Sequence, residues 1–296
     1  MKYLKLFSLF FLLQTGILFA DEEVEKLNAA TLNTILLFTA HDALSSGLYH
    51  FTKTKNRVDM HIYHLPLSYQ FDSSSKLNYF ILGDLGVNFV SIENNEQYNN
   101  YLKAYIGGIG GGIRYKMAKD LYFLVGLELI YSRIVLNATK YENSKIVDIF
   151  NNQHSDNLSV EFSTLAEYKP KIHAMKPYIS FLYKHFETKS EISLEAFTKY
   201  NSSSSVATLR AGVESAPFYS GEENYCTVEG YVGTNYFWGN AKDIIKFQSY
   251  ETVGGIFYYN TPKKPWWASR FYVELSGVKG NGLEGYNAGV GFSLAY

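Results

Sequence analysis

The chain has 296 residues, a formal charge of −1 and 17% aromatic residues, with tyrosine the most frequent of them. That charge balance lacks the basic footprint of a nucleic-acid partner, so none is expected. The single Cys226 excludes an intrachain disulfide framework and a multi-cysteine metal site, and no cofactor is expected.

Residues 1–20 read as an address. Lys2 and Lys5 precede the apolar run Leu6 to Leu13, Gly16 loosens its end, and Ala20 stands before the acidic Asp21-Glu22-Glu23. That order is expected of a secretory signal peptide. Residues 21–46 form an N-terminal helical segment. Val24, Leu27, Ala30, Leu32, Ile35 and Phe38 recur at roughly helical spacing, and Asp21 is a fitting N-cap. This α-helix either lies on the membrane surface as an amphipathic element or is threaded inside a barrel.

Beyond residue 20 no stretch of ~18 apolar residues follows, so a membrane-spanning chain has to span as a closed barrel. Residues 47–296 alternate with period two. Tyr79, Ile81, Leu85, Val87 and Phe89 share one face, and so do Phe123, Val125, Leu127 and Leu129. Several such segments exceed ten residues, long enough to cross a bilayer at a tilt. Strands are expected near 57–71, 77–93, 101–117, 121–137, 174–187, 190–200, 204–215, 222–238, 245–260, 266–278 and 283–296, with a short one near 47–54 making the number even. Thr188-Lys189 is then a turn on the inner side. Val160 to Tyr168 also alternates and is assigned to a hairpin on a long outer loop, 137–173. The expected fold is all-β: a transmembrane antiparallel β-barrel of about twelve strands, preceded by the helix.

The polar faces line the lumen in this reading. Asp84, Arg114, Glu128, Lys184, Glu195, Arg210, Glu229, Glu251, Arg270 and Glu274 fall on inward faces and form a network of mixed sign. Gly108, Gly110, Gly112, Gly289 and Gly291 also fall inward. Bare backbone there either gives a threaded helix room for close approach or marks strand curvature. Cys226 falls on the lipid face as inert packing.

A helix, about twelve alternating strands and an aromatic terminal strand together resemble the translocator barrel of autotransporters. More narrowly, the chain resembles solitary autotransporter-like outer-membrane barrels without a passenger. The residues that carry the resemblance are Tyr105-Ile106-Gly107-Gly108-Ile109-Gly110-Gly111-Gly112-Ile113-Arg114-Tyr115 and the ending Tyr286-Asn287-Ala288-Gly289-Val290-Gly291-Phe292-Ser293-Leu294-Ala295-Tyr296. It implies residence in the cell outer membrane, with outer-membrane lipid and the barrel-assembly machinery as partners, and a monomer. Tyr286, Phe292, Leu294 and Tyr296 would be the assembly signal, with Tyr296 where Phe is more usual. Secretion of a large cargo is not carried over.

Chemistry is sparse. Barrel hydrolases need a nucleophile and a base within hydrogen-bond reach. His64 lies on the lumen side with Ser68 nearby, but no His-x-Ser-Asn-Gly string is present. His61 and His64 fall on opposite strand faces, which argues against a shared metal. The expected function is non-enzymatic: a pore, a plugged channel or a surface structural protein. The alternative is an outer-membrane embedded hydrolase acting on lipid or protein.

Overall fold

The computed structural model describes residues 44–51, 57–71, 76–94, 98–139, 153–192, 200–221, 223–240, 242, 248–261 and 270–293. The expected signal peptide and residues 21–43 of the expected helical segment lie outside these residues, as do Glu195, Leu294 and Tyr296; residues 44–46, expected to end that segment, instead begin a strand paired with the last one.

Among the described residues thirteen strands follow in chain order: β1 (Leu44–Phe51), β2 (Arg57–Gln70), β3 (Leu77–Asn94), β4 (Tyr98–Ala118), β5 (Leu121–Thr139), β6 (Gln153–Tyr168), β7 (Lys176–Ile192), β8 (Tyr200–Glu214), β9 (Tyr219–Ser220), β10 (Tyr225–Gly239), β11 (Ser249–Asn260), β12 (Arg270–Gly280) and β13 (Leu283–Ser293). All pairings are antiparallel between neighbours, except that β9 is a two-residue flap on β10 and β8 pairs directly with β10. Because β1 pairs with β13 and β10 pairs with β11, the remaining twelve strands close into a ring. Closure leaves no unpaired edge, the condition for a sheet to sit in hydrocarbon.

The period-two pattern sets the two faces. Tyr79, Leu85, Ile109, Leu127, Val232, Val253 and Leu275 are exposed on the outside, Ile109 at 71%. Their parity partners face inward and are buried or half-buried. In water this exterior would be an aggregating surface, and in a bilayer it is the lipid-contacting band. No helix among the described residues is long and apolar enough to cross a membrane; this chain crosses with strands. Outward aromatics recur at two heights, at Tyr115 of β4 and Phe123 of β5 near one end of the strands and at Tyr105 and Tyr131 near mid-strand, and these bound an apolar band as interfacial girdles do.

Two segments differ from the sequence reading. Residues 153–168 form a full barrel strand, β6, and not a loop hairpin. Ser155, Asn157, Ser159, Glu161 and Ser163 face inward, Leu158, Val160 and Phe162 face outward, and both edges are paired, with β5 and β7. In compensation, β7 runs unbroken through Thr188-Lys189 to Ile192, and β8 begins at Tyr200. There is no turn at Thr188-Lys189 because Thr188 pairs with Ser202 on one side and Ser159 on the other. Twelve strands remain, with the boundaries moved.

The barrel has two distinct ends. β1 begins and β13 finishes at the end where β2–β3, β4–β5 and β11–β12 connect, here called the turn end; the opposite is the loop end. At the loop end β12 and β13 are joined by Asn281-Gly282 alone, with Gly282 at φ 112°, a conformation that glycine takes without a Cβ penalty.

Candidate functional site: the barrel lumen

The lumen changes character along its length. Near the loop end it is an apolar belt. Met60 and Ile62 of β2, Val90 of β3, Ala104 and Ile106 of β4, and Ile130 and Ile134 of β5 are buried in one cluster with Phe186, Val206, Phe237, Tyr250, Val278 and Leu283 from the other walls. Phe237 and Tyr250 stack at 5.5 Å between ring centroids. Period-two alternation alone makes inward residues polar. Here ten strands each contribute an apolar inward residue, while Ser132, Ser159 and Ser204 between them keep the alternation.

Near the turn end the lumen is crossed by a floor of charges and tyrosines. Glu214, at 0% exposure, accepts from Arg270 Nη2 at 2.7 Å, Lys176 Nζ at 3.0 Å and Thr227 Oγ1 at 3.2 Å, with Lys169 Nζ 3.2 Å from its second oxygen. Glu229 accepts from Tyr178 Oη at 2.6 Å and Tyr258 Oη at 2.9 Å, with Arg210 at 3.5 Å. Glu274 accepts from Tyr231 Oη, and Arg210 lies 3.8 Å away. The guanidinium carbons of Arg210 and Arg270 sit 3.4 and 3.9 Å from the ring centroids of Tyr231 and Tyr258, a cation–π geometry. Arg270 and Glu214 belong to β12 and β8, with β10 and β11 between them in the ring. The contact therefore reaches across the lumen instead of along the wall. Buried charges persist only when paired, and each carboxylate here has its partners.

Between belt and floor lies a polar level. His64 Nε2 meets Asp84 Oδ1 at 2.8 Å. Lys184 Nζ meets Glu161 Oε1 at 2.9 Å. Glu128 stands directly opposite Glu161 across the β5–β6 ladder, and its Oε1 occupies the place where Gly108 would carry a Cβ. Higher up, at the belt itself, the Ser159 and Thr188 hydroxyls bond at 2.7 Å, Ser159 standing opposite Ile130.

Of the expected lumen charges, Asp84, Arg114, Glu128, Lys184, Arg210, Glu229, Arg270 and Glu274 lie on inward faces. Arg114 is 3.9 Å from Glu167 and stacks on Tyr122 at 4.4 Å. Glu251 does not lie inward. It shares the odd-numbered face of β11 with exposed Val253, Phe257 and Tyr259, and parity turns it outward at the loop end. The sequence reading passed over Glu214, although it shares the parity of Arg210 on β8. It missed Glu161 because β6 was assigned to a loop.

Among the described residues, the inward glycines lie against aromatic rings and strand backbone; the helix expected beside them falls outside those residues. A Cβ at Gly112 would lie 2.6 Å from Cζ of Phe80, and one at Gly291 would overlap the Tyr272 ring. Tyr178 covers Gly212 and Tyr231 covers Gly254 in the same way. In each case ring and glycine are direct cross-strand partners: Phe80 with Gly112, Tyr178 with Gly212, Tyr231 with Gly254, Tyr272 with Gly291. An aromatic ring lying over a strand glycine shields bare backbone and pins the register. Gly110 is closed in by β5 backbone, its would-be Cβ 2.8 Å from Cα of Glu128, and Gly289 faces the lumen opposite Glu274. Of the expected assembly signal, Tyr286 points outward at 61% exposure, and Phe292 pairs with Phe271. Cys226 has outward parity as expected and is buried; it pairs with Tyr219 of β9, and Phe218 N donates to its carbonyl. His61 is exposed on the outer face while His64 is buried inside. Among the described residues no group of three or more His, Cys, Asp or Glu could hold a metal ion.

The chain is thus a closed, lipid-facing antiparallel β-barrel. No protein-family model and no curated protein compared with the chain matches it. Solved structures do. The β-domain of the Bordetella autotransporter BrkA aligns over 84% of this chain and 96% of its own, with 9% identity and a TM-score of 0.56. The translocator domain of NalP from Neisseria meningitidis aligns over 91% and 95%, with 7% identity and a TM-score of 0.58. The transport unit of AIDA-I from Escherichia coli aligns over 90% and 98%, with 9% identity and a TM-score of 0.55. The fold is that of autotransporter translocator barrels, as the sequence resemblance implied.

Proposed function

We propose that this chain is an outer-membrane barrel, autotransporter-like and without a passenger, whose lumen is closed, so that it acts as a plugged channel or a surface structural protein and not as an open pore or an enzyme. One observation carries the closed lumen. Inward side chains all round the belt are shut off from solvent: Ala104, Ile134, Phe186 and Phe237 each have 0% exposure. A twelve-stranded ring is wider than the eight-stranded kind that its own side chains fill. In a water-filled pore of that width an alanine methyl on the wall would be wet. The lipid-facing exterior and the resemblance to translocator barrels support outer-membrane residence, with membrane lipid and the barrel-assembly machinery as partners.

The test is conductance. Purified barrel in planar bilayers is expected to show no steady single-channel current, with or without residues 21–43 decisive for which part of the chain completes the closure. A steady current from the full chain would overturn the reading.

The hydrolase alternative has one feature in its favour, the His64–Asp84 contact. That pair orients an imidazole as a base would be oriented. Nδ1 of His64 has no hydrogen-bond partner, so among the described residues no nucleophile meets it. A His64→Ala variant is expected to leave lipid and peptide hydrolysis by the purified barrel at background.

A further inference from the structure

The charges of the floor are sorted by depth. Glu214, Glu229 and Glu274 keep only 1–6% of their side chains exposed, while Lys169, Lys176, Arg210 and Arg270 around them keep 23–35%. Lys176 and Arg270 are the first residues of β7 and β12, and Lys169 follows the last of β6, so the exposed cations stand at the turn-end mouth of the lumen with the carboxylates behind them. Three of these cations share the one carboxylate of Glu214. Along β4, Arg114 and Lys116 extend the set, with Glu167 as the neighbouring acid. The six cations are thus set against four carboxylates. Among the described residues of the adjoining turns, Lys76, Lys119 and Lys171 against Asp120 and Glu223 leave the sign positive. Five of the six are laid on tyrosine rings: Arg114 and Lys116 on Tyr122, Lys169 on Tyr178, Arg210 on Tyr231 and Arg270 on Tyr258. A cation already held on a ring face loses little further freedom when an anion meets it.

The chain itself carries an anion that fits this mouth. Asp21, Glu22, Glu23 and Glu25 place four carboxylates within five residues, with Lys26 after them, the densest acidic run of the sequence. The run precedes β1, and β1 begins at the turn end, where Leu44 pairs with Val290 of β13. Nineteen residues lead from Glu25 to Leu44. Even at the ~1.5 Å per residue of a helix they reach about 28 Å. A ring of twelve strands spaced ~4.8 Å apart and tilted by ~40° is about 24 Å across, so the acids can reach any wall of the mouth. The Arg270–Glu214 contact spans the lumen, so the run meets the floor from outside and does not pass it. The membrane surface is the poorer home for these acids, since anionic lipid attracts basic segments and repels acidic ones. We propose that Asp21, Glu22, Glu23 and Glu25 dock in the cationic mouth formed by Arg114, Lys116, Lys169, Lys176 and Arg270, so that the chain covers the turn side of its own barrel. This goes beyond the closed-lumen reading and stands without it, because it needs only the positive mouth and a tether that starts beside it.

The test uses the full chain in vesicles, with heat-modifiable gel mobility verifying that each variant is folded. A zero-length carbodiimide joins a carboxylate to an ammonium group that touches it. The expected product, read by mass spectrometry of monomeric chains, links a peptide holding residues 21–25 to one holding Lys116, Lys169 or Lys176. In ~1 M salt, where the Debye length is about 3 Å, the link is expected to fade. A second measurement does not depend on coupling chemistry. Lys116→Cys with Cys226→Ser is labelled by an uncharged maleimide, with Lys103→Cys on the outer wall as control. Neutralising the run by Asp21→Asn, Glu22→Gln, Glu23→Gln and Glu25→Gln leaves every described residue unaltered. It is expected to speed labelling at position 116 about tenfold, as for a segment docked roughly nine-tenths of the time, and to leave position 103 unchanged. Equal rates at position 116, or no link in monomeric chains, overturn the proposal. Links confined to dimers also overturn it, since the run then sits on a second copy. Protection that survives neutralisation and yields to salt overturns it too, by showing a free anion in the mouth. Conductance is read separately, so a steady current would remove the closed-lumen reading and leave this one to its own tests.

Discussion

The two halves of the lumen reach the same end, burial, by opposite chemistry. The belt buries Phe186, Phe237, Ile134 and their apolar neighbours, with small neutral polar residues such as Ser132 and Ser204 between them and no charge to satisfy. The floor buries Glu214, Glu229 and Glu274 and must supply each with cations and hydroxyls. The belt tolerates any apolar shape that fills it, because dispersion and apolar burial are not directional. The floor works only with particular partners at particular distances, because removing one member leaves the others buried and unpaired. Variation is therefore expected to be graded in the belt and all-or-none in the floor.

The largest effect tests the floor. Glu214→Ala removes the anion shared by Lys169, Lys176 and Arg270. Breaking a fully buried pair costs 3–5 kcal/mol. The three cations retain 23–35% exposure and are partly screened, so a loss of about 3 kcal/mol is expected, read as a lower midpoint in denaturant-driven unfolding from lipid. Charge repair sharpens the comparison: Glu214→Ala with Arg270→Met is expected to recover part of the loss. If the single variant unfolds like the parent, the floor is ornament and the contrast with the belt collapses.

The belt comes next. Phe237→Ala leaves a cavity in a well-packed apolar level and is expected to cost about 3 kcal/mol at most, while Phe237→Leu costs about 1 kcal/mol. Salt separates the two halves. Raising ionic strength is expected to shrink the Glu214→Ala effect and to leave the Phe237→Ala effect unchanged, since only the first is electrostatic. Equal salt dependence would show that the belt is not dry.

The ring–glycine pairs lie between these in size. Gly254→Ala places a methyl in the Tyr231 ring, which is itself held by Glu274. The ring has to move off its carboxylate or the strands have to part, an overpacking cost of about 1–3 kcal/mol. Tyr231→Phe with Gly254→Ala distinguishes the two causes. If the cost comes from the displaced hydroxyl, the double variant is no worse than Tyr231→Phe alone.

How much of this was legible in the sequence follows from which physics each feature uses. Alternation is local, so the strands with apolar exteriors, β3, β5, β12 and β13, were found nearly to the residue. At the loop half of β7 the outward residues are His185, Glu187 and Lys189. No apolar face marks that stretch, so a turn was read through it, while the clear alternation of β6 was spent on a loop. The two errors cancelled in the strand number. Parity gave eight lumen charges their side. It was misapplied at Glu251, whose own neighbours Val253 and Phe257 point outward. The belt, the partners of Glu214 and the ring–glycine pairs were beyond reach. Each depends on which residue of one strand stands opposite which residue of another, and register is a non-local quantity that the inward pattern of a single strand does not contain.

The smallest expected effect belongs to the ion pair with the best geometry. Arg133 donates from Nε to Asp156 Oδ1 at 2.7 Å and from Nη2 to Oδ2 at 2.9 Å, and Tyr131 Oη adds a third bond to the same carboxylate at 2.6 Å. Arg210 and Glu229 in the floor meet at only 3.5 Å. Distance alone would rank the first pair as the stronger. Their surroundings reverse the order. Arg133 and Asp156 lie on the outer face, two residues beyond Tyr131 toward the loop end, with 48% and 32% of their side chains exposed. Water solvates both charges when the pair is broken, and long exposed side chains lose entropy to hold it. Glu229 has 4% of its side chain exposed and no such recourse. Arg133→Ala is therefore expected to leave the unfolding midpoint where it was, whereas Arg210→Ala is expected to lower it clearly. If the outer pair proves the more costly of the two to break, that stretch of wall is not in water. The apolar band would then extend past Tyr131, and the barrel would sit deeper in the membrane than its aromatics indicate.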